Sequence, residues 1–200
     1  KLQINNFWVA LSFFSQIPVP KNVQYIDQSL KNISLYFVII GWLLGLMSIA
    51  VFYISHYLFN TDIAIWVSII FSIIITGALH EDGLADCCDG FAGGFSLEKK
   101  MHIMKDSQIG TYACIGLIIA IFGKYLLLNS QSNIYLALLI AAPLSRAFAI
   151  SFMFDLHYVS LQNSKSQQHV KVLSKFELFI IISSTLPLLF LLKLSSLLAL

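Results

Sequence analysis

Four of the chain's ten acidic residues, Glu81, Asp82, Asp86 and Asp89, fall within nine positions of the stretch ALHEDGLADCCDGFAGGF, directly after an almost purely apolar run. On a helix advancing about 100° per residue, Asp86 lies about 40° from Asp82 and Asp89 about 20° to the other side, so three carboxylates share one narrow face. Glu81 lies about 100° away and His80 nearly opposite. Carboxylates stacked in this way repel one another, strongly so at low dielectric, and cations relieve the repulsion. Oxygen donors without sulfur or paired imidazole favour Mg²⁺, with Mn²⁺ as the alternative, over zinc. A zinc-protease helix would need a second His where Leu84 stands. Cys87, Cys88 and Cys114 have neither zinc spacing nor the even count of a disulfide framework. A solvated helix end could also be acidic. Two features favour a ligand instead. Gly83, Gly90, Gly93 and Gly94 let backbone approach one closely, and no Lys or Arg stands three or four residues from any of the aspartates.

A second cluster, IMKDSQIGTY, brings Lys105, Asp106, Ser107 and Thr111 around Gly110. Asp106 can complete a metal set with Asp82, Asp86 and Asp89. Lys105 can hold a phosphate as a point charge, and a helix N-terminus near Ser107 adds backbone donors for an anion. Taken alone, a Lys-Asp pair before an apolar helix reads as an anchor and a cap. Arg146, in APLSRAF after Pro143, is an intramembrane cation, functional by default. It can grip a phosphate bidentately if the helix opens at the proline; its other reading is a partner for a structural carboxylate. Lys124, midway down its apolar segment, and Lys193 are intramembrane cations under the same default, although Lys193 can simply snorkel. Asp155, His157 and His169 read as loop residues.

The elements that must carry these groups are membrane helices. Apolar residues make up 58% of the 200 residues and charged residues 11%, a balance that no soluble domain could bury. The net charge of +2 is too small to argue for nucleic acid. A bilayer core of about 30 Å takes about 20 helical residues. The expected architecture is all-α: a polytopic integral membrane bundle, one domain over 1–200, with about five spans at 35–58, 63–79, 109–128, 134–154 and 178–200. The motif region 80–108 lies between the second and third. Residues 7–17 are apolar but too short to span, and Pro18 and Pro20 stop them, which predicts an interfacial or re-entrant helix. No cleavable signal peptide is expected, for want of a small-residue cleavage site. The end, LLKLSSLLAL, carries no polar tail. Lys1, Lys21 and Lys31 precede the first span, Lys99, Lys100 and Lys105 lie between the second and third, and Lys165, Lys171 and Lys175 between the fourth and fifth. The intervening loops carry no Lys or Arg. The positive-inside rule then places the acidic motif on the cytoplasmic side.

ITGALHEDGLADCCDGFAGG followed by IMKDSQIGTYA resembles the adenosylcobinamide-GDP ribazoletransferase family, also called cobalamin synthase. FFSQIPVP resembles its N-terminal element, SLYFVIIGWLLG its first span and APLSRAF its fourth. Together these cover roughly residues 7–155 in the family's order. Gln16 and Gln108 stand where the family often has Arg, which removes two cations that could meet a phosphate. The resemblance is weak beyond residue 155, and family members are usually longer.

The resemblance implies the last assembly step of the corrinoid nucleotide loop. Adenosylcobinamide-GDP and α-ribazole, or its 5′-phosphate, give adenosylcobalamin or its phosphate and GMP. It implies Mg²⁺ as cofactor and the bacterial inner membrane as location; a homo-oligomer is left open. The expected roles are metal binding by Asp82, Asp86, Asp89 and Asp106, phosphate contacts from Lys105 and Arg146, and substrate contacts from Ser107, Glu81 and Gly93. His80, Glu81 or a carboxylate free of metal would accept the hydroxyl proton. A CDP-alcohol phosphotransferase is a rival reading, but Asp86 stands where its signature Arg belongs. A cation or proton transporter is another, although such sites sit near the bilayer midplane. A membrane scaffold for other enzymes would leave the carboxylate face unexplained.

Overall fold

The computed structural model describes residues 2–26, 32–155, 179 and 183–185. Seven α-helices and one 3₁₀ turn account for the regular structure of the described residues, and no strand occurs among them. They are α1 (Leu2–Phe14), the turn Ile33–Tyr36, α2 (Phe37–Leu58), α3 (Thr61–Ile75), α4 (Leu79–Gly93), α5 (Leu97–Ile103), α6 (Thr111–Asn129) and α7 (Ile134–Asp155). Three helical stretches are long and apolar enough to cross a bilayer: 33–58, α6 and the 134–152 portion of α7. A fourth results if the bent pair α3–α4 counts as one. The chain is therefore an all-α integral membrane protein, and the expectation of about five spans is generous. The span expected at 178–200 lies outside the described residues, save Phe179 and 183–185. Lys31, His157, Lys165, His169, Lys171, Lys175, Lys193 and the side chain of Asp155 lie outside them too.

The span expected at 63–79 ends early, and the reason is local. At the end of α3 the N–H of Ala78 donates to the carbonyl of Ile73 (2.9 Å) and that of Gly77 to Ile74 (3.0 Å). This is a Schellman stop, which needs left-handed backbone after the helix. Gly77 has φ +62° and Ala78 φ +56°. The second value is rare for a residue with a Cβ. The chain leaves the turn at 85° to α3 and continues as α4. At 1.5 Å per residue the 15 residues of α3 cover about 22 Å, short of the roughly 30 Å core.

The segment after α1 is docked on this corner. The N–H of Gln16 donates to the carbonyl of Ile75 (2.7 Å), and the Gln16 side chain fills the space a Cβ on Gly77 would need. α1 itself lies on α2 through Ala10, Leu11, Ile40 and Leu44. The expected interfacial or re-entrant element is thus a short helix packed on the first span.

Behind the corner, α2 packs most extensively on α7 and then on α3, α3 leans on α6, and α6 and α7 barely touch. Gly41 and Gly45 on α2 explain the first contact. A Cβ on Gly41 would sit 2.7 Å from Cα of Pro143, and one on Gly45 would sit 3.0 Å from the Leu139 carbonyl oxygen. Small residues four apart allow such close backbone approach between membrane helices. Phe52, Ala64, Ile65, Ile69, Leu128 and Leu138 close the core between the four helices. α6 turns Ile115, Ile118, Ile119, Phe122 and Leu126 outward. Spaced at i, i+3, i+4, i+7 and i+11, they form one apolar stripe suited to lipid.

Candidate active site

α4 carries two functional faces. Asp82, Asp86 and Asp89 project from one, as their spacing requires. Burial first, and then the neighbouring carboxylates of Asp82 and Asp89, push the Asp86 carboxyl above its ordinary pKa. Neither the Asp82 nor the Asp86 side chain accepts a hydrogen bond among the described residues.

Asp89 is differently placed. Its two oxygens accept from the backbone N–H groups of Gly110 (2.6 Å) and Ala113 (2.9 Å). These are orphan donors of the first turn of α6, whose own N-cap residue, Gly110, has no side chain to satisfy them. Asp89 thus caps α6 from 21 residues upstream, and its negative charge complements the positive end of the helix dipole. Replacing Asp89 with Ala should cost about 0.5–2 kcal/mol of stability, the range for loss of a side-chain cap. Thermal unfolding of the purified protein reads this directly; an unchanged melting curve would show that the cap contributes nothing.

The Asp106 side chain turns back on its own loop, accepting from the N–H of Gln108 (3.1 Å). Lys105, Asp106 and Ser107 are exposed between α5 and α6. No hydrogen bond ties Asp106 to the aspartates of α4 among the described residues. Gly93 lies near the end of α4, where a Cβ would meet only Ile103 at 3.5 Å.

The start of α4 presents the opposite face. His80 and Glu81 point into a cavity of about 490 Å³ between α2, α3, α6 and α7, which Lys124 and Arg146 also line. Arg146 is 5% exposed. Its guanidinium lies 5.3 Å from the Phe37 ring centroid. One terminal nitrogen donates to the Ala142 carbonyl (2.9 Å), and the other is 3.2 Å from His80 Nε2. α7 continues as helix through Pro143. Lys124 Nζ donates to Ser72 Oγ (3.0 Å). Among the described residues, two buried polar atoms here lack a hydrogen-bond partner: Arg146 Nε and Glu81 Oε2. The sequence reading marked Lys124 as an intramembrane cation without a specific role and missed Ser72, its partner.

Among the described residues, no three His, Cys, Asp or Glu side chains converge closely enough to form a ready-made metal shell. The donor chemistry nevertheless suits a hard divalent ion. Asp82 and Asp86 are unengaged carboxylates whose mutual repulsion a cation would relieve, and Asp89 retains lone pairs beyond its two N–H bonds.

The family model described as cobalamin-5-phosphate synthase matches residues 6–200. Relatives are similar over most of the chain. A Vibrio vulnificus (strain YJ016) protein called adenosylcobinamide-GDP ribazoletransferase is 41% identical over 184 residues, which is 90% of this chain and 72% of that protein. A Pseudoalteromonas atlantica protein of the same name is 41% identical over 199 residues, 97% of this chain and 74% of the relative. A third, from Vibrio cholerae serotype O1, is 40% identical over 178 residues, covering 87% and 68%. No solved structure matches. The match takes in both faces of α4, the Gly77–Ala78 corner and the α6 cap, so the chain belongs to the cobalamin-5-phosphate synthase family.

Proposed function

We propose that this chain is an adenosylcobinamide-GDP ribazoletransferase. It joins adenosylcobinamide-GDP to α-ribazole or its 5′-phosphate and releases GMP, the final assembly step of cobalamin biosynthesis. The observation that carries this reading is the roughly 40% identity, over most of the chain, to relatives of that name. Its setting is a bacterial inner membrane with the acidic face of α4 toward the cytoplasm, supported by the basic residues Lys99, Lys100 and Lys105 beside it.

In the reaction a ribose hydroxyl attacks the phosphorus that stays with the corrinoid. The bond to GMP breaks and the hydroxyl proton passes to the protein. Asp82 and Asp86, with Asp89 and Asp106 as further oxygens, would hold Mg²⁺ or Mn²⁺, which supplies positive charge to the diphosphate. Lys105 places a further cation near the aspartates, to meet charge developing on phosphate oxygens, and Arg146 lies behind α4 in the cavity, where a substrate phosphate could reach it. His80 and Glu81, at the junction of the two faces, are the side chains best placed to take the proton.

The test is GMP release by purified protein from adenosylcobinamide-GDP and α-ribazole 5′-phosphate. Turnover should require added Mg²⁺ and stop in EDTA. A rate indifferent to EDTA would remove the metal from the proposal, and release with a CDP-alcohol as donor would point to the rival transferase.

A further inference from the structure

The cavity behind α4 is not needed to hold a metal, yet His80, Glu81, Lys124 and Arg146 all line it. Its volume of about 490 Å³ falls in the range of small-molecule sites. Lys124 and Arg146 bring two positive charges to it and Glu81 one negative. Arg146 is 5% exposed, and its Nε lacks a partner among the described residues. A buried donor left unpaired is costly, so the arrangement is explained by an acceptor that arrives from outside. Glu81 Oε2, equally unpartnered, asks for a donor. The hydroxyls of Ser68, Ser72 and Thr76 all donate to helix carbonyls, and Ser72 already accepts from Lys124, so Ser68 and Thr76 offer the cavity acceptors alone. Phe37 provides an aromatic wall beneath the guanidinium.

A ligand that satisfies all of these carries an anionic group, hydroxyl donors and a flat apolar part. We infer that this cavity binds the phosphate and sugar of a ribonucleoside phosphomonoester, with Arg146 and Lys124 on the phosphate and Glu81 on a ribose hydroxyl. The inference rests on the proposed function in naming the acceptor, α-ribazole 5′-phosphate, as the occupant. The acceptor then approaches the reaction from the membrane side of α4, while the diphosphate donor lies against the aspartates on the other side. Glu81 and Asp82, adjacent in sequence on the two faces, mark where they meet.

The test is equilibrium binding to the whole protein in phosphatidylcholine nanodiscs, without metal or donor substrate. The probes are α-ribazole 5′-phosphate, α-ribazole and GMP. The phosphorylated acceptor should bind about 10-fold or more tighter than α-ribazole, the gain expected of hydrogen bonds to charged groups. Lys124→Met should bring that ratio close to one, and Lys124→Arg should keep most of it, with both variants verified as folded by thermal unfolding. Equal affinities in the wild type, or a ratio that survives Lys124→Met, would overturn the inference. So would Lys124-dependent binding of GMP in place of the acceptor. Because no turnover is involved, acceptor binding without GMP release in the full reaction would sink the proposed function and leave this site standing. Turnover without phosphate discrimination would do the reverse.

Discussion

Asp86→Asn should lower GMP release about 1000-fold or more while leaving the protein at least as resistant to heat as the wild type. The two halves of this expectation have one cause. Asp86 sits between Asp82 and Asp89, and its carboxyl is already pushed toward the neutral form by burial and by those two neighbours. An amide of the same shape removes the repulsion, so the metal-free fold loses nothing. It also removes a charge from the group proposed to hold the ion, and such interactions contribute several kcal/mol to a transition state. Active sites commonly trade stability for function in this way. Near-normal GMP release by the variant would remove Asp86 from the metal site, and a clearly lower unfolding temperature would show that the carboxylate has a structural role instead.

Gly41→Leu should do the opposite, disabling the enzyme by disturbing the fold. The position a Cβ would take is 2.7 Å from Cα of Pro143 and 2.9 Å from Cδ of Arg146. The first of these is backbone, held within α7, and cannot swing aside. Overpacking of this kind typically costs 1–3 kcal/mol, and the shift it forces on α7 carries Arg146 away from His80 and the cavity. Thermal unfolding and GMP release should fall together, where Asp86→Asn separates them. A variant that melts and turns over like the wild type would mean that α2 and α7 do not meet at Gly41.

The acidic face was readable because a helix has a fixed pitch: three aspartates at i, i+4 and i+7 share a side wherever the helix lies. Three span positions, 35–58, 109–128 and 134–154, were readable from length and apolarity. The break at Gly77–Ala78 was not, since the apolar run continues to Leu79 and an Ala gives no warning of left-handed backbone. Nor was Gln16, whose partner lies about 60 residues away in sequence; only the structure sets it against the corner. Asp89 looked equivalent to its neighbours, and nothing local distinguishes a carboxylate facing solvent from one bonded to the end of another helix. Lys124 read as an oddity because Ser72, its partner, is one serine among many. Gly41 and Gly45 carry a signal in their spacing of four, but the sequence reading passed over it.

The shortness of α3 bears on where the enzyme can work. If α3 begins at the far edge of the hydrocarbon core, its length of about 22 Å leaves the corner, and the reactive groups that follow it, recessed below the near edge of an ordinary bilayer. A thicker membrane deepens that recess, and a thinner one raises the groups toward water. Turnover measured in lipids of graded chain length should therefore track membrane thickness, so the surrounding lipid acts as a tuning element for the catalyst.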